Sequence, residues 1–123
     1  MTDLLEYLKR VVTDGASDLF IVAGGPVCEQ LDKRMVPISE ARVFPQETEQ
    51  LIMDLYAKAE RDTERYFRQW DDDFSFSLPG LARFRVNTYR QRGSMAAVVR
   101  VVAFDIPDWK DMGIPEGVMA LSD

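Results

Sequence analysis

From Leu81 to Phe104 the chain alternates arginine with apolar residues and contains no acid. In an extended strand, Ala82-Arg83-Phe84-Arg85-Val86-Asn87 sends Phe84 and Val86 to one side and Arg83, Arg85 and Asn87 to the other. Past Arg92-Gly93, Val99 and Val101 share one side, and Val98, Arg100 and Val102 the other. A period of two on both flanks of a glycine turn predicts strands over 82–90 and 95–104. A two- or four-residue loop centred on Arg92-Gly93 pairs Val86 with Val99, Phe84 with Val101, and Arg85 with Arg100. A slip of one residue would carry Arg100 onto the apolar side and bury a charge. The apolar pattern therefore selects a register that sets two arginines opposite each other. Like charges so placed cost up to about 1 kcal/mol, which implies an anion or a carboxylate between them.

The rest of the chain supplies the partners of this hairpin. Leu4, Leu8, Val11 and Val12 recur at helical spacing, with Thr2 as the expected cap and Gly15 as the stop. Asp18–Ala23 is a short apolar strand ended by Gly24-Gly25-Pro26, and 27–31 with 35–38 form a short hairpin in which Pro37 marks an edge. Pro45 opens a helix whose inward stripe is Leu51, Ile52, Leu55 and Tyr56. A second helical stretch over 61–70 is expected to bury Tyr66, Phe67 and Trp70. Asp71-Asp72-Asp73 reads as a solvated strand entry, with Asp73 pairing an arginine or closing a turn. Phe74, Phe76 and Leu78 alternate with serines before the Pro79-Gly80 turn. The predicted class is α+β: an antiparallel sheet, made of a three-stranded C-terminal meander plus short N-terminal strands, with helices packed on it. The expected boundaries are a domain over 1–104 and a linker over 105–123, punctuated by Pro107, Gly113 and Pro115.

Composition narrows the chemistry. The 123 residues contain no histidine and one cysteine, Cys28, which removes His-based nucleophilic catalysis, His-ligated metals and any internal disulfide. A net charge of -6 counts against nucleic acid as a partner, and no apolar run is long enough to span a membrane. Yet the five arginines of 81–104 stand against 10 bases and 21 acids elsewhere. Guanidinium groups suit bidentate contact with phosphate or carboxylate, so the hairpin is the candidate anion or partner surface. No metal site is expected, since successive residues of the Asp71–Asp73 run alternate faces and form no cage. No GxxxxGK[ST] loop or acid-rich strand of the NTPase kind occurs, so the chain itself is not expected to hydrolyse ATP.

Asp73-Phe74-Ser75-Phe76, Pro79-Gly80-Leu81-Ala82-Arg83-Phe84-Arg85-Val86-Asn87, the arginine-glycine turn and Val98-Val99-Arg100 resemble the N-terminal domain of PilT-type pilus retraction ATPases, of the secretion ATPase superfamily. Ala16-Ser17-Asp18 is similar to that family's early signature, and Ile106-Pro107 with Met112-Gly113-Ile114-Pro115 to its linker. The chain departs from the pattern at Phe20, where the family tends to carry histidine, and over 28–33, where it tends to carry an arginine and an Asp-Gly turn. Phe20 is expected in the core and Cys28 as a small buried strand residue.

The resemblance implies a PAS-like N-terminal domain of a longer, cytoplasmic, homohexameric motor that uses ATP and Mg2+ at the inner face of the membrane, where it serves the pilus machinery. It implies packing on the RecA-like domain of the adjacent subunit. Arg85 is the first choice for reaching that subunit's nucleotide phosphates, with Arg83, Arg100, Arg90 and Arg92 in support and Asn87 and Asp73 as interdomain or structural residues. Alone, the fragment is expected to be a monomer or weak dimer. The alternative from another class is a stand-alone sensor or adaptor that binds an anionic small molecule or acidic partner through the arginine hairpin.

Overall fold

A computed structural model describes residues 3–104. Helix α1 (Leu4–Asp14) is followed by strands β1 (Asp18–Ile21), β2 (Cys28–Leu31) and β3 (Arg34–Pro37). Helices α2 (Pro45–Lys58) and α3 (Glu64–Gln69) precede β4 (Asp71–Leu78), β5 (Ala82–Gln91) and β6 (Ser94–Phe104). The strands form one six-stranded sheet in the order β3-β2-β1-β6-β5-β4, with every neighbouring pair antiparallel. The architecture is α+β. Strands from the two ends of the sequence meet where β1 pairs β6, so the short N-terminal hairpin extends the sheet. The proposed linker over 105–123, including Trp109 and the Ile106-Pro107 and Met112–Pro115 motifs, lies outside the described residues.

Local signals explain the boundaries. The cap of α1 is Asp3, whose carboxylate accepts from the Glu6 amide at 3.0 Å. This corrects the expected cap at Thr2, which lies outside the described residues. Gly15 takes the left-handed conformation, φ 72°, that ends the helix. At α2, Pro45 occupies the first turn and the Glu47 carboxylate accepts from the Phe44 amide at 3.2 Å. The β5–β6 loop has two residues: Arg92 and Gly93 both have positive φ, 54° and 80°, and Gln91 pairs with Ser94. That is the type I′ geometry whose twist matches the strands it joins.

The core lies between one face of the sheet and the helices. Leu4, Leu8 and Val11 of α1 and Leu51, Ile52, Leu55 and Tyr56 of α2 meet Leu19, Ile21, Phe74, Phe84, Val86 and Val99. Tyr66 joins this cluster, but Phe67 does not: it is 45% exposed, and Trp70 is half-buried. The helix α3 is only six residues long. It offers one fully inward position and Tyr66 takes it; Trp70 packs edge-on against Tyr66 at the rim of the core, and the exposed Phe67 packs on both rings. No helix among the described residues is long and apolar enough to cross a membrane.

Candidate functional site

The observed register is Phe84 opposite Val101, Arg85 opposite Arg100 and Val86 opposite Val99. Burial alternates as the pattern requires, with Phe84 and Val86 inside and Arg83, Arg85 and Asn87 outside. The arginines are not left facing each other unscreened. Arg85 donates through Nε and Nη2 to the two Asp73 oxygens at 3.3 and 2.8 Å. Arg100 Nε donates to Asp18 at 3.1 Å, and the Ser17 hydroxyl fixes the other Asp18 oxygen at 2.7 Å. Carboxylates from the two flanking strands thus answer the like-charge conflict. The hydrogen bond from Arg85 holds Asp73 below the ordinary carboxylate range and raises Arg85 in turn.

Two adjoining hollows open on this face. One, of about 620 Å³, is bordered by Asp73, Ser75, Arg83, Arg85 and Val102. The other, of about 400 Å³, is bordered by Asp18, Asp73, Arg85, Asn87 and Arg100. Asn87 also donates to the Asp72 carbonyl at 3.1 Å, which ties the site to the edge strand β4. Asp73 uses both oxygens on Nε and Nη2 of Arg85, so the Nη1 hydrogens remain for a further acceptor. Three guanidinium groups stand against two carboxylates here, so the face suits a phosphate that arrives with part of its contacts supplied elsewhere.

The five arginines expected to act together are divided by the structure. Arg83, Arg85 and Arg100 share the solvent-facing side of the sheet. Arg90 falls at the opposite parity and stacks its guanidinium 4.3 Å from the Trp70 ring centroid. Arg92 sits in the turn, seven residues along the strand from Arg85, or about 23 Å. Neither joins the Arg85 site. Phe20 is half-buried rather than a core residue, because strand alternation assigns the inward places to Leu19 and Ile21. Cys28 is a half-buried strand residue, with burial pushing its thiol up.

Three buried carboxyl groups went unrecognised in the sequence: Asp18, which holds Arg100, and two that lie off the arginine face, Asp72 and Glu29. Asp72 is 1% exposed, against the expected solvated run. Burial raises its pKa, but hydrogen bonds from Arg61, Tyr56 and the Asp73 amide outweigh that and leave it lowered. Arg61 reaches it in a fork at 3.0 and 2.8 Å, and the Tyr56 hydroxyl donates to it at 2.9 Å. Tyr56 is also 2.8 Å from the Thr88 hydroxyl, so this group fastens α2, the segment before α3, β4 and β5 together. Glu29 is likewise 1% exposed, and one of its oxygens, Oε1, has no partner among the described residues. Burial first, then a hydrogen bond with Asp14, pushes it up to about 7. Strand parity would have found both: Glu29 shares its side with Val27 and Leu31, and Asp72 with Phe74 and Phe76. No group of three or more metal-ligating side chains occurs among the described residues.

No family model matches the chain. It is 32% identical over 122 residues to the type IV pilus retractation ATPase PilT of Pseudomonas aeruginosa, which covers 98% of this chain and 35% of that protein. It is 28% identical over 111 residues to the type IV pilus ATPase PilU of the same organism, covering 90% of this chain and 28% of that one. Among solved structures, the pilus retraction motor PilT with bound ADP superposes with a TM-score of 0.73 at 32% identity, over 98% of this chain and 35% of that one. The Legionella pneumophila ATPase DotB shares the fold, with a TM-score of 0.61 at 23% identity, over 95% of this chain and 32% of that one. The chain spans about a third of the length of the curated relatives it matches.

Proposed function

The chain is a relative of the PilT-type type IV pilus ATPases, matching about a third of their length, and from that premise we propose that it acts as the N-terminal domain of such a motor. The observation that carries this reading is the likeness to PilT over 98% of the chain, at 32% identity and a TM-score of 0.73. In the proposal the sheet is a PAS-like platform over 1–104, and 105–123 leads toward a RecA-like ATPase domain. The parent is a cytoplasmic homohexamer that works at the inner membrane face with ATP and Mg2+. The platform packs on the RecA-like domain of the adjacent subunit.

The solvent-facing Arg85 is then the group that meets the neighbour's nucleotide, supported by Arg83 and Arg100. Asp73 fixes the Arg85 fork and Asp18 orients Arg100, so little side-chain freedom is lost when a phosphate arrives. A guanidinium beside a transferring phosphoryl group neutralises charge that grows in the transition state. Contact with the triphosphate alone also couples nucleotide state to the angle between domains. The test is Arg85→Ala in the full-length ATPase to which this reading assigns the chain. ATP turnover is expected to fall about a hundredfold or more. The 123-residue variant should keep its fold, because the side chain is 65% exposed. Unchanged turnover would remove the arginine's role. A gene that ends at Asp123 would remove the motor itself.

A further inference from the structure

A second cleft, of about 500 Å³, lies at the far end of the β5–β6 hairpin from Arg83, between the turn at Gly24, the segment Arg42–Pro45 and the turn at Arg92. Its charged lining consists of Arg42 and Arg92, with Ser94 adding a hydroxyl and no acid contributing. Neither arginine has an ion-pair partner among the described residues. Arg34 and Arg83 also lack one, whereas Arg10, Arg61, Arg65, Arg68, Arg85 and Arg100 each have a carboxylate within 4 Å and Arg90 has Trp70; what sets Arg42 and Arg92 apart is that both border one cleft with no acid in its lining. Arg42 also borders a smaller hollow containing Glu40 and Glu47 but pairs with neither. Two unneutralised guanidiniums from positions fifty residues apart have converged in a protein of net charge -6.

The wall between them is apolar. Phe44 is 64% exposed, the most exposed large apolar side chain among the described residues. Arg92 holds a positive φ of 54° at a turn position that favours asparagine, aspartate or glycine. The backbone amides of Gly24, Val43 and Phe44 are already used within the protein, so the available donors are the side chains.

From these observations we infer that the cleft binds a small phosphate-bearing molecule, its phosphate between Arg42 and Arg92 and a flat apolar portion against Phe44. The cleft is separate from the Arg85–Arg100 face and does not depend on the motor reading. Guanidinium forks recognise phosphate bidentately, and the Ser94 hydroxyl supplies a third donor.

The test is an amide-resolved NMR titration of the 123-residue protein with phenyl phosphate, and with inorganic phosphate as the charge-only probe. Saturable shifts are expected at Gly24, Phe44 and Ser94, with phenyl phosphate binding more tightly than phosphate. Arg42→Ala and Arg92→Asn should each weaken binding about tenfold. Asparagine suits the positive φ of the turn, so loss of binding in Arg92→Asn cannot be laid to a broken hairpin. Arg34→Ala, outside the cleft, should bind like the unaltered protein. The inference is overturned by any of three results: no saturation up to about 10 mM, unchanged binding in both cleft variants, or shifts gathered around Arg85 and Arg100.

Discussion

Replacing Glu29 by glutamine should abolish a pH dependence of stability that the unaltered protein shows between about pH 4.5 and 7. Glu29 lies on the core side of β2, opposite Leu19 of β1 and Val36 of β3. Its surroundings hold its proton until about pH 7, against an ordinary 4.5, with burial as the main cause and the hydrogen bond with Asp14 next. Below 4.5 both the folded and the unfolded chain carry that proton. Between 4.5 and 7 only the folded chain does, so each step up in pH favours unfolding; above 7 the penalty is constant. At roughly 1.4 kcal/mol per pH unit the whole loss is about 3 kcal/mol.

The window is unusually clean, because the chain has no histidine. Asp14, whose pKa the Glu29 and Arg10 hydrogen bonds lower, is ionised throughout it in both states. Arg10, 2.8 Å from Asp14, is the nearest counter-charge and pulls Glu29 only slightly the other way. Urea unfolding of the 123-residue protein at pH 5, 6, 7 and 8 should show the midpoint falling by about 1.5 M, taking a denaturant slope near 2 kcal/mol/M. Glu29→Gln keeps the size and a donor toward Asp14, so its midpoint should stay level and lie well above that of the unaltered protein at pH 8. A level midpoint in the unaltered protein, or a slope that survives in Glu29→Gln, would refute the assignment.

Asp72→Asn should cost about 2–3 kcal/mol at pH 7, because it removes a charged acceptor shared by Arg61, Tyr56 and the Asp73 amide. A carboxylate with a lowered pKa stabilises above its unfolded value of 3.8 and loses that effect as pH falls through the folded value. The difference between the two proteins in urea unfolding should therefore shrink toward pH 3, and a pH-independent difference would count against this account. Gly93→Ala should cost about 1 kcal/mol by the same assay, since φ is 80° but nothing lies within 4 Å of an added Cβ; an unchanged midpoint would mean that the turn can adopt another geometry.

The hairpin was legible because two constraints agreed. Apolar alternation allowed one register, and Arg92-Gly93 supplied the turn that closes it. Where one constraint acted alone the reading was weaker. Phe67 and Phe20 are aromatic and were assigned inward, yet position along a short element decides burial, and Tyr66, Leu19 and Ile21 already occupied the inward places. Asp72 was misplaced for the opposite reason. Three successive acids look uniformly solvated, but a strand turns every second one toward the core, and Arg61 was there to meet it. The arginine set is divided by distance: sequence interval grouped five residues, whereas an extended hairpin carries its ends far apart and puts odd and even positions on different faces.

That separation bears on what each arginine can do. Arg85 and Arg100 are each matched by a carboxylate on a neighbouring strand, which lowers their attraction for a free anion while holding the guanidinium planes in place. They are suited to a phosphate presented by another protein surface, where most of the binding free energy comes from contacts elsewhere and orientation is what remains to be supplied. Arg42 and Arg92 have no ion-pair partner among the described residues, so a diffusing anion need displace no carboxylate to reach them. The two places should therefore differ in salt response. Association at the Arg42–Arg92 cleft should weaken steeply with ionic strength, as contacts between exposed charges do. At the Arg85 face, displacing Asp73 exchanges one ion pair for another, and the net charge brought together is smaller. The contrast lies between Arg85 and Arg100, which carboxylates hold in place, and Arg42 and Arg92, which none holds; Arg83, unpaired on the first face, is the guanidinium there that a free anion would meet uncompensated.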